Sequence, residues 1–150
     1  MVDIVDAATR SRMMSGIKGK NTKPEILVRT ALHRLGFRYR LHSAKVPGKP
    51  DLVFPAIKAA VFVNGCFWHG HDCRLFKAPA TRPEFWLTKI AGNKARDARV
   101  RVALEREGWR HLTIWECAIR GRDKLAVEKV IDRTAKWLRS KSARAEIRGR

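Results

Sequence analysis

Nothing in the 150-residue chain approaches the roughly 20 consecutive apolar residues of a membrane-spanning helix. No short apolar segment of the kind that marks a secretory leader follows Met1. Acids are scarce as well: 14 Asp and Glu stand against 33 Lys and Arg, a formal charge of +19. That is far beyond what solubility requires, and the self-repulsion is costly unless a polyanion neutralises it. Nucleic acid is the first candidate partner and an acidic membrane surface a weaker second. Cysteine is limited to three residues, an odd number that argues against a disulfide framework and for thiol or metal chemistry in a reducing compartment. With no internal repeat and no linker, the chain reads as one soluble cytoplasmic domain large enough for its own core.

The positive charge is uneven. Arg10, Arg12, Lys18, Lys20 and Lys23 occupy a stretch without an acid, flanked by Asp6 and Glu25. This predicts a basic N-terminal arm over about residues 1–22, either solvated or ordered along a phosphate backbone. The closing segment RSKSARAEIRGR holds five basic side chains and one aliphatic beyond alanine. Too little surface is available there to offset ordering entropy, which predicts a flexible basic tail over about residues 139–150.

Between the ends, Thr22 and Glu25 with Pro24 form a capping-box helix start. Ile26, Leu27, Ala31, Leu32 and Leu35 then recur at helical spacing until Gly36. Phe37 to His42 alternates like a strand, and DLVF and AAVFV are short apolar runs behind the turn PGKP. A second capping box, Thr81 to Glu84 around Pro83, opens a long helix to Gly108 that Gly92 weakens. WRHLTIW reads as a buried strand and KLAVEKVIDRTAKWL as a closing amphipathic helix. The order predicts an α/β fold with a mixed central sheet flanked by helices, one crossover feeding the last strand.

The segment NGCFWHGHDC concentrates the chemistry. Cys66, His71 and Cys73 lie within eight residues, and Cys117 follows the WRHLTIW strand, at the same end of the sheet if the strands run parallel. Three thiolates and one imidazole are a tetrahedral zinc set, closed to substrate and therefore structural. The competing reading is three unrelated buried thiols. His69 is not needed by such a cluster and is placed for proton transfer.

Asp51 opens an apolar strand, a costly place for a carboxylate unless a cation or hydrogen bonds receive it. Pro50-Asp51 before a second apolar strand resembles the start of the PD-(D/E)XK nuclease core, where a carboxylate one strand later binds Mg2+ beside a lysine. AAVFV offers neither at its far end.

The segments ATRSRMMSGIKGKNTKPE, PGKPDLVF, VFVNGCFWHGHDC, FKAPATRPEFWLTKI and WECAIRGR together resemble, in order and spacing, the very-short-patch repair (Vsr) mismatch endonucleases. The match runs from about Ala8 to Arg122. It implies an enzyme that nicks duplex DNA 5′ of the thymine in a T·G mismatch left by deamination of 5-methylcytosine, on a restriction-endonuclease-like fold with a structural zinc. Asp51 matches the magnesium-binding aspartate, and Val63 falls where the family supplies a metal-bound backbone carbonyl. His69 matches the proton-transfer histidine, Glu25 and Asp97 the acids that reach the metal waters, and Cys66, His71, Cys73 and Cys117 the zinc ligands. Phe67, Trp68 and Trp86 match aromatics that wedge into the duplex, with Met14 a smaller wedge from the arm. Position 64 is Asn where a relative carries a second active-site histidine; this departs from the family's pattern for direct proton shuttling, and the amide of Asn64 can still orient a phosphate or a water. The implied setting is the bacterial cytoplasm, at the nucleoid, as a monomer alongside a cytosine-5 methyltransferase and mismatch-repair proteins.

Plainer roles compete for several residues. Glu25 also serves the capping box, and Asp97 among Lys94, Arg96 and Arg99 could be a surface ion-pair member. His33, His42 and His111 are read as structural or surface residues, and Trp109, Trp115 and Trp137 as core. Two functional rivals remain: a nickase of other specificity on this scaffold, and a non-catalytic zinc-containing binder of distorted DNA. Asp51 with His69 separates them, because a pure binder needs neither.

Overall fold

The structure, a computed structural model, describes residues 21–150. The expectations for Arg10, Arg12, Met14, Lys18 and Lys20 lie outside the described residues. Helix α1 (Lys23–Arg34) starts as its capping residues require: Thr22 is the extended N-cap, and its hydroxyl accepts from the Glu25 amide at 3.4 Å. Val28 and Leu32 form the buried stripe, together with a buried Glu25. Strand β1 (Arg40–Leu41) is shorter than the Phe37–His42 alternation suggests. Phe37 and Tyr39 leave the ladder and pack edge-on against Phe54, at centroid distances of 6.2 and 5.8 Å.

Strands β2 (Leu52–Phe54) and β3 (Ala59–Asn64) are joined by a single 3-10 turn, Pro55–Ile57. Helix α2 (Pro83–Arg106) leads to β4 (Arg110–Trp115), and α3 (Val127–Arg139) leads to β5 (Arg144–Ile147). The sheet order is β1-β2-β3-β4-β5, antiparallel from β1 to β3 and parallel from β3 to β5. Period-two alternation sends Leu52, Phe54, Ala59, Val61, Leu112 and Ile114 to one face, where α1 and α3 cover them with Val28, Leu32, Val130 and Leu138. Val53 and Ala60 point the other way, onto Leu104 of α2. This is the expected mixed sheet between helices. Among the described residues no helix is long and apolar enough to cross a membrane.

Two local expectations are corrected. The second capping box does not form: the residue before α2 is Arg82, in the left-handed region at φ 53°, and its side chain makes no capping hydrogen bond. With Arg82 at that position Thr81 and Glu84 lose the required N-cap to N3 spacing, and Pro83 starts the helix by itself. Gly92 does not interrupt it.

The second correction concerns the C-terminal segment, where β5 pairs in parallel with β4 over His111↔Arg144 to Ile114↔Ile147. A second crossover, through α3, therefore follows the first. The order comes from the backbone ladder of β4 and from Ile147, 4 % exposed in the core; neither is visible in the local composition. Ile147→Ala is accordingly expected to destabilise the fold by about 2–5 kcal/mol, read as a shift of the urea midpoint.

Candidate active site and metal centre

Parallel pairing of β3 and β4 brings their C-terminal ends together, with Asn64 opposite Trp115. The loop after β3 and the 3-10 turn after β4, Glu116–Ala118, therefore face each other. Glu116 accepts from the Cys66 amide at 3.2 Å, and the loop then turns tightly, with His69 N bonded to Gly65 O and His71 N to Cys66 O. Gly70 is required in that turn: its φ is 59°, and a Cβ there would meet Ile90 at 2.8 Å.

The result gathers one donor atom from each of Cys66, His71, Cys73 and Cys117 within 4.8 Å of one another, a group able to hold a metal ion. Cys66 and Cys117 are buried, and each Sγ lies 3.6 Å from Nδ1 of His71. Burial pushes the thiols of Cys66 and Cys117 up and the imidazole of His71 down. Without a cation the cluster is thus driven toward neutrality, and a dication would hold it as thiolates. Among the described residues Nε2 of His71 has no hydrogen-bond partner, and it lies 3.7 Å from Asp72. Arg148 grips that aspartate through Oδ1 and the backbone carbonyl, both at 2.9 Å.

The segment after β5 closes the centre. The Gly149 amide donates to Cys117 Sγ at 3.3 Å, and a Cβ on Gly149 would lie 2.5 Å from the Cys117 carbonyl oxygen. Trp115 is also part of this centre instead of the apolar core. Its ring stacks on His71 at 4.0 Å and 9°, and its Nε1 donates to Glu146 at 2.7 Å. Trp137 is buried in the main core as expected, and Trp109 packs half-buried against the smaller one.

A second cluster lies beside Val63. Asp51, at the head of β2, accepts from the Val63 amide at 2.6 Å through Oδ2. Glu25 reaches it from α1 with a side chain only 1 % exposed. Its carboxylate accepts from Arg29 at 2.7 Å and from the Asn21 amide at 3.1 Å. Nε2 of His42 contacts both Glu25 oxygens, at 3.0 and 2.9 Å, and lies 4.0 Å from Oδ1 of Asp51. Glu25, His42 and Asp51 form a second group able to hold a metal ion.

Burial pushes the Asp51 carboxyl up to about 7, with the Glu25 carboxylate adding to the rise; the Val63 amide and His42 oppose it. Sequence reasoning missed His42. The available signal was its place at the end of the strand that precedes PGKPD, since a hairpin partner of β2 must finish beside Asp51.

His69 and Asp97 form a pair of their own, Nδ1 to Oδ2 at 2.6 Å, each about a quarter exposed. Asp97 thus sits on the histidine from the middle of α2, and is not a member of the Glu25 group. His33 is exposed, and His111 is buried with Nε2 against Glu105 at 3.2 Å. The adjacent Phe67 and Trp68 are joined by Trp86 of α2 in one half-buried aromatic cluster with Phe76 and the exposed Phe85. Asn93 holds the loop from α2 by donating to the Trp68 carbonyl at 2.8 Å. Lys23 is exposed at the start of α1.

A family model described as DNA mismatch endonuclease Vsr matches residues 2–75. The chain is 44 % identical over 147 residues to the DNA mismatch endonuclease Vsr of Escherichia coli (strain K12), covering 98 % of this chain and 94 % of that one. It is 45 % identical over 119 residues to a type II nicking enzyme of Xanthomonas oryzae pv. oryzae, covering 79 % and 88 % of the two chains. A type II nicking enzyme of Neisseria meningitidis is 42 % identical over 122 residues, covering 81 % and 87 %. Identity of that extent, on a mixed sheet that carries an acidic cluster and a Cys/His group able to hold a metal ion, shows that the chain is a nuclease of restriction-endonuclease-like fold and belongs to the DNA mismatch endonuclease Vsr family.

Proposed function

We propose that the protein nicks one strand of duplex DNA 5′ of the thymine in a T·G mismatch, using Mg2+ at Asp51 and a structural zinc at Cys66, His71, Cys73 and Cys117. The observation that carries the reading is a juxtaposition at the C-terminal end of β3. The Asp51–Glu25 acids adjoin Val63, while the loop leaving Asn64 delivers His69, already tethered to Asp97. Zinc is supported by size. A tetrahedral ion about 2.3 Å from sulfur and about 2.05 Å from nitrogen separates those donors by about 3.6 Å, the spacing found on both thiol sides of His71.

Asp51 and the Val63 carbonyl are the proposed magnesium ligands. Glu25 orients the water around that position. Bound there, Mg2+ supplies a counter-charge for the phosphoryl oxygens as the phosphodiester is hydrolysed. Because Asp97 holds Nδ1 of His69, Nε2 is the atom offered for proton transfer, which replaces the lysine absent from β3. The amide of Asn64 orients a phosphate or water. Phe67, Trp68 and Trp86 enter the stack at the mismatch, where unstacking costs least. Lys23 continues onto the duplex the phosphate contacts assigned to Arg10, Arg12, Lys18 and Lys20, and Met14 wedges from the arm. The deamination origin of the substrate places the enzyme with a cytosine-5 methyltransferase and mismatch-repair proteins at the nucleoid, acting as a monomer in the bacterial cytoplasm.

A nicking assay across all mismatches in varied sequence contexts tests the specificity. Strong preference for T·G over T·A and over the other mismatches is expected. Equal nicking of fully paired duplexes would instead favour the second reading, a nickase of other specificity, which the relatives described only as nicking enzymes support.

A further inference from the structure

His42 stands between the two acids of the active site, and nothing in the proposed chemistry uses it. Two further partners of Glu25, Arg29 and the Asn21 amide, come from its own helix and from two residues before its start. On the sheet side, Nε2 of His42 contacts the Glu25 carboxylate directly, and the Asp51 carboxyl faces it. The His42 backbone is fixed to β2, where its amide donates to the Asp51 carbonyl at 3.2 Å. That backbone also sits at φ 47°, a left-handed conformation that costs a non-glycine residue energy and recurs at functional positions. The bend turns the imidazole inward, leaving it 15 % exposed, with Nε2 bridging both Glu25 oxygens and 4.0 Å from Asp51.

We propose that His42 is a positioning residue of the nicking reaction: it ties the Glu25 carboxylate of α1 to the edge of the sheet and so sets its separation from Asp51 for one divalent cation. The inference rests on the magnesium reading above. Packing alone brings α1 near the sheet, but the core contacts of Val28 and Leu32 do not orient a carboxylate. A single N–H shared between both oxygens does. Removing such an outer partner of a metal site costs about 10–100-fold in metal affinity in general.

The test uses His42→Asn, which tolerates the left-handed backbone but is too short to bridge, and His42→Gln, which returns an N–H donor at longer reach. Mn2+ serves as the probe, its binding counted from loss of the free-ion EPR signal, alongside the Mg2+ dependence of nicking. His42→Asn is expected to weaken Mn2+ binding and raise the half-maximal Mg2+ concentration by about tenfold or more. Affinity for a T·G duplex and the urea midpoint should stay near wild type, and His42→Gln should recover most of the loss. If His42→Asn does not fold, His42→Gln decides alone: binding within threefold of wild type supports the assignment, and a tenfold loss overturns it. Unchanged metal dependence in His42→Asn, while Asp51→Ala abolishes both readouts, overturns the role of His42 and leaves the magnesium reading intact. Asp51→Ala with normal Mn2+ binding and nicking overturns that reading itself.

Discussion

Asp51→Ala abolishes Mg2+-dependent nicking while leaving T·G duplex binding within a few-fold of wild type: this is the largest effect expected on activity. A metal counter-charge at the phosphoryl group is worth several kcal/mol, so a loss of about 10³-fold or more follows at about 1.4 kcal/mol per decade. Binding survives because the charge that attracts DNA, +19 over the whole chain, lies elsewhere. The metal-free protein gives a second readout. Burial raises the Asp51 carboxyl from 3.8 to about 7. The folded state therefore keeps a proton that the unfolded state releases, and stability falls as pH rises from about 4 to about 7. Asp51→Asn should remove that slope in urea titrations at pH 5 and pH 8. Mg2+ should stabilise the wild type most at the higher pH, where the carboxylate is available to it.

The largest expected effect on stability belongs to Cys117→Ala. Wild-type protein should contain about one zinc per chain, and the variant little or none. Structural zinc contributes about 10–16 kcal/mol of apparent binding free energy in small domains, comparable to the about 5–15 kcal/mol of a whole fold. Loss of one of four ligands should therefore lower the melting temperature sharply, and a chelator should reproduce the loss in the wild type. Activity should fall as well, because the loop pinned by Cys66 and Cys73 is also the loop that carries His69, Phe67 and Trp68. Metal analysis with thermal denaturation checks both parts. A metal-free protein of unchanged stability would remove the zinc assignment.

The separation between what was legible in the sequence and what was not follows the range of the interactions. Helix α1 could be read because Thr22, Pro24 and Glu25 act within one turn, and β2, β3 and β4 because apolar runs between turn residues are local signals. The Cys/His group able to hold a metal ion was legible for the same reason: three of its members lie within eight residues, and Cys117 was the one cysteine left. Strand β5 was not, since the ladder that orders it belongs to β4, more than thirty residues away along the chain. His42 was overlooked because its meaning depends on β1 pairing with β2 and on Glu25 arriving from α1. His69 and Asp97 were each singled out, yet their mutual contact spans 28 positions and needed the packing of the Cys66–Cys73 loop on α2. Trp115 was misread because an indole beside Ile114 resembles core; only the fold shows His71 stacked on it.

The most direct measurement is a single-turnover cleavage of a duplex containing one T·G mismatch, end-labelled in turn on each strand, with Mg2+ and with EDTA. The result expected is one nick, on the thymine strand, immediately 5′ of the mismatched thymine, only with Mg2+ and absent from the T·A control. Cleavage of both strands, a nick elsewhere, or equal cutting in EDTA would contradict the assignment.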